Sequence, residues 1–409
     1  MKFRRFAACL LLLAVVAQLA ACGGQPTLLT PPEPTGEAAP VTADVPEGAF
    51  SQAADNFSVR LLQETHQAGE NTTLSPYSVL TALAMAANGA DGETRSQMED
   101  VLGLPVDQLN AALYECRQLP TEALVSANSF WIRSGLDVQP DFLQAGADYY
   151  DASVYQTDFD GAAVDAVNGW IAEHTKDRIK KMVEEFSPLT MLCLINALTF
   201  DAKWLDEFSE DEIRPADFHA ANGETRQVDM MYDSESYYIS TDTAAGFIKP
   251  YSDGRFSFVA LLPNEDITVE DYVNQLTGDA LCSIVSTASR EEVVIGLPVF
   301  RAEYSAELSD ALMEMGMPLA FDVYNADLSR IADTKPPLYI SEVLHKTYVS
   351  VDGSGTEAAA ATVIMVAEGA APDMPEPKYV TLDRPFVWMI WDEQTAQPIF
   401  LGITNDITK

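Results

Sequence analysis

The stretch Gly355-Thr356-Glu357-Ala358-Ala359-Ala360-Ala361-Thr362, continued by Val363-Ile364-Met365-Val366, decides how this chain is read. Four successive alanines favour a helix, because alanine has the highest helix propensity. The surroundings oppose that reading, since the run lies in a strand-rich region. Ala367 to Lys378 follows with Gly369, Pro372, Pro375 and Pro377, the composition of an exposed loop. Sheet pattern resumes at Tyr379. A run of small residues leading into a loop inside a β region calls for a special reason.

Working outward, helical spacing dominates the first third of the chain. Ala54, Phe57, Leu61 and Leu62 share one face of a helix over Ala53 to Thr65. Ser78 to Ala87, after Ser75-Pro76, is rich in Leu, Ala and Met. Thr94-Arg95-Ser96-Gln97 reads as a capping box opening a helix that ends at Gly103. Val164 to Val183 keeps helical period through Val167, Trp170, Ile171, Ile179 and Val183. Short apolar strands follow at Leu124 to Ile132, Leu192 to Phe200, Phe256 to Leu262 and Glu292 to Val299. Val380 to Ile390 and Gln397 to Ile403 flank Asp392-Glu393-Gln394-Thr395, a hairpin turn. Helices early and strands late, without regular alternation, predict an α+β fold with largely antiparallel sheets.

The chain has 409 residues, 47% of them hydrophobic, enough for a sizeable core. With 24 Lys plus Arg against 62 Asp plus Glu, the net charge of −38 excludes nucleic acid as a partner. Met-Lys-Phe-Arg-Arg and an apolar run from Phe6 to Ala21, broken only by Gln18, form a secretory signal over residues 1–21. The run is slightly short for a membrane span of about 20 apolar residues. Leu19-Ala20-Ala21-Cys22 resembles the bacterial lipoprotein box. That resemblance implies lipidation of Cys22 and an extracytoplasmic protein anchored to the cell envelope. Residues 22–49, with Pro26, Pro31, Pro32, Pro34, Pro40 and Pro46, read as a disordered tether. Residues 50–409 then form the globular domain.

Motifs for catalysis are missing. No HExxH, paired CxxC, P-loop or GxGxxG stands out, and His66, His174, His219 and His345 are widely separated. Neither a metal nor a cofactor is expected. A Ser-His-Asp site assembled in space stays open at this point. Glu207 to Glu212 reads as solvated surface, and Lys176, Arg178, Lys180 and Lys181 as an exposed charged helix face. Cys193, in the run Met191-Leu192-Cys193-Leu194-Ile195, reads as a small buried hydrophobe. A disulfide between two of Cys116, Cys193 and Cys282 is left open.

The alanine run resembles the reactive-loop hinge of serpins, the serine-protease inhibitor family, and the resemblance extends over nearly all of residues 50–408. Asn196-Ala-Leu-Thr-Phe-Asp-Ala-Lys-Trp204 resembles the family's Asn-x-x-x-Phe-x-x-x-Trp strand. Leu74-Ser75-Pro76-Tyr77-Ser78-Val79 resembles the opening of its second helix, and Val343-Leu344-His345-Lys346 the strand before the hinge. Val228-Asp-Met-Met231, Asp383-Arg-Pro-Phe386 and Phe400-Leu-Gly402 are similar to further family strands. The resemblance implies about three antiparallel or mixed sheets, eight or nine helices and an exposed reactive loop. It implies a hinge over Gly355, Thr356, Glu357, Ala358, Ala359, Ala360, Ala361 and Thr362. It implies a central shutter where His345 meets Asn196, Ser75 and Ser78, with Trp204 at the top of the main sheet where the loop enters. The family often carries an acid two residues before the hinge glycine; here that place is Gly353, with Asp352 beside it.

The implied activity is suicide-type inhibition of an extracellular serine protease, through a covalent complex and insertion of the cut loop into the main sheet. The protein is then an inhibitor and not an enzyme, and a monomer. The loop suits insertion. Alternate residues of a strand face opposite ways, and one face takes Thr356, Ala358, Ala360, Thr362, Ile364 and Val366, all uncharged. The other face, Glu357, Ala359, Ala361, Val363, Met365 and Ala367, has a single charge. No proline interrupts Gly353 to Ala371. Family hinge spacing places the reactive bond at Gly369-Ala370, with Ala370-Ala371 and Glu368-Gly369 next. Counting back from Arg384-Pro385-Phe386 gives Met374-Pro375, where proline resists cleavage. Small residues at the cut suit elastase- or subtilisin-like pockets. The alternative function is a non-inhibitory binding protein on the same fold.

Overall fold

The computed structural model describes residues 25–30, 43–119, 121–356 and 376–408. Within them are nine α-helices and three main sheets. The main sheet runs, in spatial order, through Thr27–Leu29, Ser153–Thr157, Leu124–Arg133, Leu192–Phe200, Glu342–Val351 and Phe300–Glu307. Its two central neighbours, the 192–200 and 342–351 strands, are parallel, with His345 opposite Asn196. Each of them is antiparallel to its outer neighbour.

The 192–200 strand explains its own sequence. All nine residues are buried. Leu192 and Leu194 face the helices below the sheet, and Leu198 and Phe200 face the second core between the other sheets. Cys193, Ile195 and Ala197 point the other way, under Val167, Trp170 and Ile171 of the helix Gly161–His174. A strand covered on both faces reads as a continuous apolar run instead of an alternating one. The second sheet is an antiparallel stack from Thr72–Leu74 through Gln397–Thr404, Phe386–Asp392, Phe256–Pro263 and Ala244–Pro250 to Tyr237–Ser240. The third joins Lys378–Thr381, Val293–Pro298, Thr225–Glu235 and Ile213–His219.

Several expectations need correction. The segment 22–49 is not a tether along its whole length. Thr27–Leu29 adds an edge strand to the main sheet, with Leu28 opposite Tyr155. Val45 packs on the core, and the Asp44 carbonyl accepts from Gln108 Nε2. Fixed backbone donors at the open edge of Ser153–Thr157 give even a Pro-flanked segment a partner. The first globular helix begins at Ala49.

The expected helix over 164–183 stops at His174, and Lys176 and Asp177 take positive φ. Thr94-Arg95-Ser96-Gln97 does not open its helix, which starts at Gly92 behind Asp91. Its Thr94 hydroxyl instead accepts from the Asp327 amide, and the Gln97 side chain accepts from the Leu319 amide. The apolar stretch 380–390 is two strands in different sheets, divided at Leu382 to Pro385.

Candidate functional site

Beneath the parallel central pair lies a buried polar cluster. His345 is fully buried, and its Nε2 accepts from the Ser75 amide at 3.1 Å. Nε2 is therefore unprotonated, and Nδ1 carries the proton. That Nδ1–H finds no acceptor among the described residues. Burial lowers the His345 pKa to about 3, so the ring is neutral across the physiological range.

Asn196 sits opposite His345 in the ladder and donates through Nδ2 to the Ser78 carbonyl at 3.1 Å and to Asn128 Oδ1 at 2.5 Å. The Ser78 hydroxyl donates to Asn196 Oδ1. Ser75 Oγ donates to the Ile399 carbonyl, and Thr347 Oγ1 to the Thr73 carbonyl, each at 2.8 Å. The bonds of the Ser75 amide, Ser78 and Thr347 tie the helix Pro76–Asn88 and the Thr72–Leu74 strand to the underside of the two parallel strands, while Ser75 Oγ reaches the 397–404 strand. Ser75, Ser78, Asn196 and His345 thus converge on one place.

Trp204 lies elsewhere, at the upper end of the same strand pair. Its ring is buried, stacked on Tyr251 with centroids 4.5 Å apart and planes at 11°. Trp204 Nε1 donates to the Asp352 carbonyl at 2.9 Å, and its amide to the Ser354 carbonyl at 3.1 Å. The Phe208 amide donates to the Gly353 carbonyl at 2.9 Å. The turn 352–354 is therefore clamped by backbone bonds, and Asp352 Oδ1 closes it by accepting from the Ser354 amide.

Gly355–Thr356 then pairs antiparallel with Ala202–Lys203, just past the end of the 192–200 strand. Gly355 is obligatory there. Its φ is +150°, and a Cβ would lie 2.3 Å from the Ala202 carbonyl oxygen. Thr356 is fully buried, its hydroxyl 2.8 Å from the Tyr251 hydroxyl. The first two hinge residues are already a strand, aligned with the seam between the parallel pair.

Glu357, Ala358, Ala359, Ala360, Ala361, Thr362, the candidate bond residues Glu368, Gly369, Ala370, Ala371 and Met374, and Cys22 lie outside the described residues. Asn128, Thr347 and Tyr251 join the site without having been anticipated. Asn128 had one available signal, an asparagine inside an otherwise β-forming run, and it pairs directly with Asn196.

Other chemistry finds little footing. Cys116, Cys193 and Cys282 are free, and burial raises the pKa of each, to about 12 for Cys116. All three are thiols and not thiolates. Among the described residues no histidine nitrogen bonds a serine or cysteine side chain. His66 and His219 meet threonines, and His174 the Trp170 carbonyl. Nor is there a group of three or more His, Cys, Asp or Glu able to hold a metal ion among them.

Comparison with known proteins points to one family. Residues 52–407 match the family model described as Serpin (serine protease inhibitor). An uncharacterized serpin-like protein of Thermococcus kodakarensis is 34% identical over 362 residues, covering 86% of this chain and 84% of the relative. Leukocyte elastase inhibitor of Bos taurus is also 34% identical, over 377 residues, covering 86% and 98%. The crystal structure of tengpin, a thermophilic serpin in the native state, superposes with a TM-score of 0.85 at 37% identity, covering 89% and 96%.

Proposed function

The chain belongs to the serpin family, and from that premise we propose that it is a suicide-type inhibitor of extracellular serine proteases. A target protease attacks the exposed loop at Gly369-Ala370 and forms an acyl-enzyme. The freed loop inserts between the 192–200 and 342–351 strands and carries the protease with it before water completes hydrolysis. Lipid on Cys22 holds the inhibitor at the bacterial envelope.

The observation that carries this reading is a match of three registers. Thr356 stands opposite Ala202, and extending that antiparallel ladder residue by residue brings Thr362 opposite Asn196. Asp352 stands opposite Gly355, and extending that turn brings Thr362 opposite His345. Asn196 and His345 are already partners across the seam. An inserted strand can therefore satisfy both neighbours at once, without a slip on either side.

The same register assigns faces. Ala358, Ala360, Ile364 and Val366 fall opposite Phe200, Leu198, Leu194 and Leu192, whose side chains lie in the cores below the sheet. Ala361, Val363 and Met365 fall opposite Ala197, Ile195 and Cys193, beneath the 161–174 helix. Glu357, the one charge, falls opposite the exposed Asp201 at the sheet's end. Thr362 would bring a hydroxyl between Asn196 and His345, whose Nδ1–H lacks an acceptor among the described residues.

The target class follows from the cut. No Lys or Arg lies between Gly355 and Asp373, so a trypsin-like pocket finds no cation. Glycine and alanine suit the narrow pockets of elastase- and subtilisin-like enzymes. The test is to mix the protein with such an elastase and run a denaturing gel. A covalent complex, with the released peptide beginning at Ala370, is expected. Cleavage without a complex would favour a non-inhibitory binding role, and faster trapping of trypsin would refute the assignment of the bond.

A further inference from the structure

Lys249 is the most deeply buried cation among the described residues, with a side chain only 1% exposed. It lies on the 244–250 strand, and its Nζ bonds Glu235 Oε1 at 2.6 Å and Asp233 Oδ2 at 3.1 Å on the 225–235 strand. The same ammonium stands 4.3 Å from the Phe208 ring centroid and 5.6 Å from that of Trp204. A buried ammonium costs several kcal/mol to desolvate unless it is fully partnered, so a leucine or methionine would fill this space at lower cost. The polar solution therefore points to a task beyond filling space.

Trp204 and Phe208 are the two residues whose amides and indole N–H clamp the turn 352–354. Trp204 has Tyr251 stacked against it, Phe208 edge-on to it and the ammonium nearby. Position 353 is glycine, so the turn has no side chain of its own at that point to anchor it; a Cβ there would lie 2.9 Å from Ile213 Cδ1. We propose that Lys249 is a positioning residue for inhibition: its ammonium, held by Asp233 and Glu235, fixes the Trp204 and Phe208 rings and so the pivot from which the loop inserts. A fixed pivot preserves the register in which the strand enters. A loosened one lets the inserting strand hesitate, and the acyl-enzyme hydrolyses first. The role in inhibition rests on the proposed function above; the clamping of the turn does not.

Two readouts separate these. In hydrogen exchange on the intact protein, Lys249→Met should speed exchange of the Trp204 and Phe208 amides about thirtyfold, the size of one well-desolvated cation–π contact. Lys249→Arg should restore protection. Unchanged protection in a folded Lys249→Met protein overturns the proposal, whether or not any protease is trapped. In titrations against an elastase, Lys249→Met should consume several inhibitor molecules per enzyme where the parent consumes fewer, with arginine again restoring the parent value. The triple variant Lys249→Met, Asp233→Asn, Glu235→Gln removes the stranded carboxylates. If it regains parent protection and stoichiometry, the ammonium has no positioning role and the idea fails. If the parent protein itself traps no enzyme, the inhibitor reading fails, while the exchange result still decides the clamp.

Discussion

Thr356→Arg should convert the protein from inhibitor to substrate. In the uncut protein Thr356 is fully buried and shares a hydrogen bond with Tyr251, itself buried. Arginine loses that bond, worth about 1 kcal/mol. The uncut protein can yield by releasing the two-residue pairing of Gly355–Thr356 with Ala202–Lys203, which lets the guanidinium reach water. An inserted strand, paired on both sides above the Trp204, Phe200 and Phe258 core, has no such exit. Desolvating an unpaired guanidinium there costs ~3 kcal/mol or more. Placed on the insertion barrier, that slows insertion by roughly two orders of magnitude. Deacylation is unchanged, so the partition swings to release of active protease and cleaved inhibitor. The assay titrates a fixed amount of elastase with each protein and resolves complex from cleaved product on a denaturing gel. Trapping at the parent stoichiometry would refute both the face assignment and the insertion route. Glu357→Arg, one residue on and opposite exposed Asp201, is the internal control and should trap nearly as the parent does.

Gly355→Ala should raise the fraction cleaved without trapping and lower stability by about 1–3 kcal/mol, because φ of +150° and the Ala202 carbonyl leave no room for a Cβ; an unchanged melting temperature and stoichiometry would count against the hinge geometry. Asp55 is buried with neither carboxylate oxygen bonded among the described residues, and burial first, then Asp279, raises its pKa from 3.8 to about 8. The native state keeps a proton that the unfolded chain gives up above 3.8, so this contribution is present below that pH and is lost as pH climbs towards 8. Asp55→Asn should flatten the fall in melting temperature between about pH 5 and about pH 8, and an unaltered slope in calorimetry would contradict it. Cys22→Ala should move the protein from membrane to soluble fraction with trapping intact, since the described segment from Gln25 onward is retained; continued sedimentation with membranes would remove lipid on Cys22 as the anchor.

What the sequence disclosed depended on whether local pattern and tertiary burial agreed. The 192–200 strand was legible because it is covered on both faces, and Gly103 ends its helix in a left-handed conformation that only the expected residue type takes easily. The shutter residues and Trp204 came from resemblance and not from spacing, since Ser75, Asn196 and His345 are brought together only by the register of three separate segments. The misplaced end of the 161–174 helix has a physical cause. Ile179 and Val183 still pack on the same core as Trp170 and Ile171, so apolar period outlasts the helix itself. The 378–381 and 386–392 strands merged for a similar reason, each contributing buried apolar residues to one cluster from different sheets. Lys249 was invisible, because a lysine in an apolar run reads as a strand's solvent side until Asp233 and Glu235 appear across from it. The 27–29 strand was missed because three residues carry too little pattern, and the edge that recruits them is formed more than a hundred residues later.

If the loop inserts as proposed, two features of the uncut molecule favour that step. The two central strands meet in parallel, a slightly weaker pairing per residue than antiparallel. Beneath them the protein buries a neutral imidazole whose Nδ1–H has no acceptor among the described residues, at a cost of about 1–3 kcal/mol. An incoming strand running antiparallel to both replaces one parallel ladder with two antiparallel ones. Each added backbone bond contributes only about 1 kcal/mol net, but a strand paired on both sides adds many. In the register set by Gly355 and Thr356, the same movement would carry the Thr362 hydroxyl to that imidazole. On this reading the shutter is not a lock that happens to sit under the seam. The hydrogen bond that His345 Nδ1–H lacks among the described residues is one that an inserted loop in this register would supply.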